Sequence, residues 1–370
     1  MTTHPDTEPP FSTSERISGP GDLIAATPSL LGFVPHRSLI VTCLETARSG
    51  ARQVGTVMRH DLHLPDRSVV GVTDEMAEVI DRYALYCARN DVRLVMALIV
   101  DDRAIVGEDG TGIDRRYRAV AQQLTDALCR CGTAVAHVLL ARRIVRGEQW
   151  ATVIGPPGTG YIADPDISPV ALAGLVEGRV VHESRSALQL ALEPVSSNES
   201  EIVLDCLEEL RGTDTRSDRS YLEDVLAQIE SWAAVDSDRP AVIGLDAERT
   251  ARFGIALRSV MVRDSLLAIA LTEFADIAEQ LWIYLMRMLP APERACPAAL
   301  LGFSAYARGN GALAAIAIDI ALEADPDYSL ARLLDRSLLA GARPDMIREV
   351  ALSGYAVAEL CGVLLPPPLE

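Results

Sequence analysis

Between residues 38 and 155 the chain alternates short runs of apolar and β-branched residues with longer stretches in which apolar positions recur every three or four residues. SLIVTCL (Ser38–Leu44) and QVGTVMRHDL (Gln53–Leu62) predict two strands joined by a turn containing Gly50, a hairpin. TDEMAEVIDRYALYCARN reads as an amphipathic helix opened by Thr73 or Asp74, because a short polar side chain there can accept the free N–H groups of the first turn. RLVMALIV (Arg93–Val100) is continuous apolar sequence, as expected of a strand covered on both faces. A second helix, DRRYRAVAQQLTDALCRCG, ends at Gly132, and AVAHVLLARRIV with EQWATVIG adds two strands around Arg146-Gly147. The order β-β-α-β-α-β-β predicts a mixed sheet with covering helices. Two short helices, Pro169–Glu177 and Ser184–Leu192, follow a Pro/Gly loop.

EPVSSNESE (Glu193–Glu201) interrupts this pattern, and RGTDTRSDRS (Arg211–Ser220) is a second polar stretch. Beyond them only helical periodicity remains, around 221–235, 246–270, 272–289, 296–308, 312–324 and 329–340. The fold class predicted is therefore α/β, a mixed sheet with covering helices, followed by an all-α helical domain. Its divisions are a flexible tail at 1–15, an α/β domain at 16–195, and a helical domain at 196–370 with a repeat-like hairpin at 296–326. In that hairpin Leu301-Gly302, Ala314, Ala321 and Pro326 stand at the separations of a tetratricopeptide repeat. Small residues at 302 and 314 would let two antiparallel helices approach closely, with Gly309-Asn310-Gly311 as the turn.

Composition narrows the class. A chain of 370 residues, 49% hydrophobic and 23% charged, can bury a sizeable core. All 34 basic residues are arginine, a bias expected of a GC-rich bacterial genome. The net charge of −18 excludes nucleic-acid binding through a basic face, since that mode needs clustered cations to neutralise phosphates. Charge is uneven: 24 acidic residues stand against 19 arginines up to residue 195, and 28 against 15 after it. Seven scattered cysteines read as free buried thiols of a reducing cytosol. The start MTTHPDTEPP lacks the pattern of a signal peptide, and no apolar run has the length of a membrane span, so a cytoplasmic location is expected.

Candidate chemistry is sparse. GPPGTG (Gly155–Gly160) has the glycine spacing of a phosphate-binding loop, but Tyr161 and Ile162 occupy the positions of its lysine and hydroxyl, and prolines at 165 and 169 oppose the helix that must follow. Gly158 and Thr159 remain its candidate ligand contacts; an ordinary Pro/Gly turn is the better reading. Asp101 and Asp102 end the apolar strand, where carboxylates can act as bases or metal ligands, against a solvated turn as the plain alternative. RHDLH gathers Arg59, His60, Asp61 and His63, although strand alternation turns His60 away from the other two. Ser184, after His182-Glu183, is expected to cap the next helix. No catalytic elbow, zinc-helix or dinucleotide motif is present, so no catalytic residue, metal or cofactor is assigned.

DLIAATPSLLGFVPHRSLIV (22–41), VRGEQW, GRVVHESRSAL (178–188) and the stretch from Cys296 to Pro344 together resemble a family of actinobacterial proteins known as domain of unknown function 4192. The resemblance covers nearly the whole chain and implies no activity. Family members carry a proline-rich loop with cysteines where this chain has GPPGTG. Gly155 and Gly158 are not cysteines, so no metal or redox role passes to that loop.

The functional expectation is a non-catalytic interaction or regulatory module, with a protein as partner and no membrane; the sequence assigns no oligomeric state. The alternative is an enzyme or small-ligand binder with a pocket at the sheet edge, near Asp101, Asp102 and the 155–160 loop.

Overall fold

The computed structural model describes residues 19–369 except 47–51, 70, 108–109, 111, 177–179, 196–197 and 235–243. The expected tail at 1–15 and the Gly50 turn lie outside the described residues.

A helix the hydrophobic pattern did not announce comes first: α1 (Pro20–Leu31) opens on proline, whose missing N–H costs nothing in a first turn. It closes at Gly32, whose φ of 78° lets its N–H donate back to the Pro28 carbonyl. Six strands then form one sheet: β1 (Ser38–Thr46), β2 (Arg52–Asp61), β3 (Leu94–Val100), β4 (Ala134–Ala141), β5 (Gln149–Ile154) and β6 (Thr159–Tyr161). Their spatial order is β2-β1-β3-β4-β5-β6; β3 and β4 run parallel and every other neighbouring pair antiparallel. The sheet is mixed, as the pattern predicts, with the short β6 added at one edge.

Side chains alternate between the faces of this sheet. Leu39, Val41, Val95, Ala97, Ile99, Val138 and Leu140 meet α2 (Asp74–Arg89) and α3 (Arg115–Arg130). Ile40, Leu98, Val100, Leu139 and Ala141 point the other way, into a second cluster. That is why β1, β3 and β4 read as unbroken apolar runs. Thr73 caps α2, its hydroxyl accepting from Met76 N at 3.2 Å, and Asp114 caps α3.

Helix α4 (Pro169–Val176) packs beside α1, and the second cluster continues without a break into the other helices: α5 (Arg185–Ala191), α6 (Asn198–Leu210), α7 (Asp218–Ala233), α8 (Ala247–Ala256), α9 (Val260–Leu266), α10 (Ala275–Met288), α11 (Ala295–Ala307), α12 (Gly311–Ala324), α13 (Ser329–Leu339) and α14 (Pro344–Leu360). One apolar body thus joins the sheet to the bundle across residue 195. Three details depart from the sequence pattern. Helix α6 starts inside the polar stretch 193–201, and α14 extends the bundle beyond residue 340. The helical signal over 246–270 is two helices and a 3-10 turn, broken where the Ser259 hydroxyl accepts from Val262 N and starts α9 afresh.

Every residue of α11 is buried, which follows from a sequence apolar on all sides. Its antiparallel partner is α12: a Cβ added at Gly302 would stand 3.0 Å from Ile318 Cγ1 and 3.4 Å from the Ala314 carbonyl oxygen. Cys43, Cys87 and Cys296 are buried as expected, but Cys129 and Cys131 are exposed, because they end α3 on its solvent side. Among the described residues no helix is long and apolar enough to cross a membrane.

Candidate functional site

The carboxyl ends of β2, β3 and β4 lie along one edge of the sheet, since Asp61 pairs with Ser38, Ser38 with Val100, and Val100 with Ala141. Asp101, Asp102, Arg59 and Asp61 therefore share this edge. Each is engaged. Asp101 is fully buried rather than solvated, because its carboxylate takes Arg103 Nε at 2.8 Å, Nη2 at 2.7 Å and the Arg103 amide at 3.0 Å. Asp102 holds Arg37 in two hydrogen bonds of 2.7 and 3.2 Å, which keeps its carboxyl below the usual range. Arg59 donates to Ser38 Oγ and to Asp61, and its guanidinium lies 5.7 Å from the centre of the Phe33 ring. His60 and His63 do approach, with rings 5.9 Å apart, because β2 ends at Asp61 and the chain bends out of strand geometry there. His63 also meets Glu75 at 3.2 Å. Even so, among the described residues no group of three His, Cys, Asp or Glu could hold a metal ion.

GPPGTG closes a β-hairpin. β6 pairs with β5 through Ala151–Thr159, Trp150–Gly160 and Gln149–Tyr161, and Thr152 N donates to the Gly158 carbonyl. Gly155 has a φ of 117°, and a Cβ there would meet the Ala136 carbonyl at 2.8 Å. Glycine is thus required by backbone crowding, with no helix N-terminus facing a phosphate. Gly155 lies beside Ala136, near the amino end of β4, while Thr159 opens β6, three strands across from β3, so the loop is separated from Asp101–Asp102 by the width of the sheet. The structure does not bring them into one pocket.

A larger cleft, about 990 Å³, opens where the sheet half meets the bundle, beyond the carboxyl end of β4. One wall is the end of α1, the loop Ile144–Arg146, the 3-10 turn Pro165–Ile167, α4 and α5; the other is α10 with Arg308 to Leu313. The first wall is fastened to α1 by two backbone bonds of 2.9 Å, His182 N to Gly32 O and Val34 N to His182 O. Partial burial holds the His182 imidazole below its ordinary value. The Ser184 hydroxyl caps α5, accepting from Ala187 N at 3.0 Å.

The opposite wall carries the chemistry. Asp276, Glu279, Gln280 and Ile283 fall on one face of α10, at the i, i+3, i+4 and i+7 spacing of a helix. Glu279 is buried, and its Oε1 accepts from Ser304 Oγ at 2.6 Å and from Arg308 Nη1. Arg308 lies 3.8 Å from Asp276, and its Nε is buried without a hydrogen-bond partner. Burial raises the Glu279 carboxyl, while Arg308 and Ser304 oppose the rise. Around these polar groups stand Leu175, Val180, Val181, Leu188, Ile283 and Leu313. Leu175 and Val180 are 65% and 69% exposed and add apolar surface to the first wall.

Sequence reasoning missed Glu279, Arg308 and this cleft. The signal was slight: three adjacent polar positions on one face of ADIAEQLWIYLMRM, whose other faces are apolar. Arg59 and Asp61 border a smaller cavity of about 430 Å³ between β2, α2 and the α13–α14 turn. A third hollow, about 1010 Å³, is a more open dish between α5 and α12.

A six-stranded mixed sheet continued by a helical bundle, with a cleft at their junction, defines an α/β protein of composite architecture. The chain belongs to the family described as Domain of unknown function (DUF4192), whose model matches residues 20–345. No curated protein and no solved structure matches it.

Proposed function

We propose that the protein is a binding module whose cleft between the sheet half and the bundle takes a small, partly apolar ligand. The observation that carries this reading is the buried Glu279–Ser304–Arg308 group set into an otherwise apolar cleft. Buried ion pairs contribute little net stability, so one that borders a cavity points to recognition, and an apolar pocket with a few converging polar groups is the usual form of a ligand site. The carboxylates at the sheet edge are each held by arginine, which suits anchoring of loops more than proton transfer. A cytoplasmic location goes with this reading, since a reducing compartment preserves free cysteines.

The test uses the neutral fluorophore N-phenyl-1-naphthylamine. Saturable one-to-one enhancement with the full chain is expected, and Leu175→Asp with Val180→Asp should abolish it without lowering thermal stability, both side chains being largely exposed. Enhancement that survives both changes places the ligand elsewhere.

A protein partner is the second reading. Ile167 and Leu172 are 66% and 50% exposed on the outer side of the same wall, away from the cleft lining. On that reading Ile167→Asp and Leu172→Asp leave the fluorophore titration unchanged while weakening association with the partner.

A further inference from the structure

We infer that the ligand of this cleft is a hydrophobic cation, an amine-bearing molecule with an apolar body, in preference to an acid or a neutral molecule of the same size. The inference rests on the reading of the cleft as a ligand site and adds the sign of the charge that it selects.

Four carboxylates border the cleft, Asp164, Asp166, Asp276 and Glu279, against two guanidinium groups, Arg146 and Arg308. His182 does little to correct the imbalance, because partial burial lowers its pKa and so disfavours a positive charge there. Both arginines are already engaged: Arg308 with Glu279 and Asp276, Arg146 with Asp164 at 3.8 Å. Among the described residues Asp166 has no ion-pair partner, and Asp276 shares its only one with Glu279. An anionic head entering here would meet carboxylates on both walls and arginines whose charge is spent. An ammonium group would restore the balance, donating to Asp276 or Asp166 while its hydrocarbon lay on Leu175, Val180 and Leu313. The surroundings act in the same direction, since residues after 195 carry 28 acidic side chains against 15 arginines and repel anions at longer range.

Three probes with the same eight-carbon chain separate charge from apolar burial: octylammonium, octan-1-ol and octanoate, each titrated calorimetrically into the full chain at pH 7 and low salt. Octylammonium is expected to bind about tenfold more tightly than octan-1-ol, the scale of one charge-assisted hydrogen bond, with octanoate weakest. Asp166→Asn combined with Asp276→Asn should bring octylammonium to within about twofold of octan-1-ol, leaving octan-1-ol itself unchanged. Both residues are at least partly exposed, and a thermal melt checks that the variant stays folded. Octanoate binding as tightly as octylammonium would overturn the charge assignment while octan-1-ol binding keeps the cleft as a ligand site. A preference for octylammonium that survives both asparagine changes overturns the assignment too. If none of the three binds, the reading of the cleft as a ligand site fails with it.

Discussion

Arg308→Ala is expected to lower the free energy of unfolding by about 3 kcal/mol, the low end for removing one partner of a buried ion pair. Glu279 is buried among α10 and α11 side chains, and without the guanidinium only Ser304 among its present partners still donates to it. The carboxyl can escape part of the cost by keeping a proton, which makes the effect depend on pH. Burial already holds the folded Glu279 above its ordinary value, with Arg308 the foremost opposing influence. Removing Arg308 raises it further. In the window above the unfolded value, near pH 4.3, the native state then binds a proton that the unfolded chain has released. Stability must fall as pH rises through that window, more steeply in the variant than in the parent. Urea denaturation at pH 5 and pH 8 reads this directly: the deficit of Arg308→Ala should be larger at pH 8. An equal deficit at both values would mean that Glu279 is not the group left unpaired.

Ala314→Leu should cost about 1–3 kcal/mol by overpacking. Ala314 is fully buried on α12 where that helix crosses α11, and Gly302 faces it so closely that even a methyl group on Gly302 would press on Ile318. There is no free volume at this crossing for three more carbons, so the helices must separate or a rotamer must strain. Asp327→Ala is the control. Asp327 does not cap α13, which begins after Tyr328 without a side-chain cap; its carboxylate instead accepts from Arg332 at 3.0 Å on an exposed surface. Such a pair contributes a few tenths of a kcal/mol to about 1 kcal/mol. Denaturation midpoints of the two variants should therefore differ clearly, and a wild-type midpoint for Ala314→Leu would remove the close crossing from this account.

The elements with the strongest periodicity were legible. β1, β3 and β4 are apolar throughout because helices cover both sheet faces, and α2 and α3 announce themselves through Thr73, Asp114 and one apolar stripe each. The α11–α12 hairpin could be read from Gly302, Ala314 and the Gly309-Asn310-Gly311 turn. Other elements were hidden by local chemistry. α1 holds Pro20 and Pro28 in PGDLIAATPSLL, which argue against a helix by propensity; Pro20 sits in the first turn, where no bond is lost, whereas Pro28 lies inside the helix and forfeits its hydrogen bond to Ile24, a cost offset by the burial of Leu23, Ile24 and Leu31. α6 begins in serine- and glutamate-rich sequence that looks like a linker, and packing of Val203 and Leu207 decides it.

The site was less legible than the fold. Asp101, Asp102, Arg59 and Asp61 were identified as chemistry-bearing and do share a sheet edge; Arg103 and Arg59 stand two residues from Asp101 and Asp61, but Arg37, which holds Asp102, comes from a position that spacing alone does not connect. Gly158 and Thr159 lie at the β6 edge, three strands across from β3, a strand order that sequence patterns leave open. The cleft joins α4 and α5 to α10 across about a hundred residues of sequence, and nothing local to Glu279 marks it as buried.

Amide hydrogen exchange of the full chain, with and without saturating N-phenyl-1-naphthylamine, tests the central claim most directly. Binding in the cleft should slow exchange on both walls together, in 169–176 and 185–192 on one side and 275–283 on the other, and leave β2 and α2 unchanged. Protection confined to one wall, or appearing around Arg59 and Tyr86 in the smaller cavity, would contradict a ligand site between the two halves.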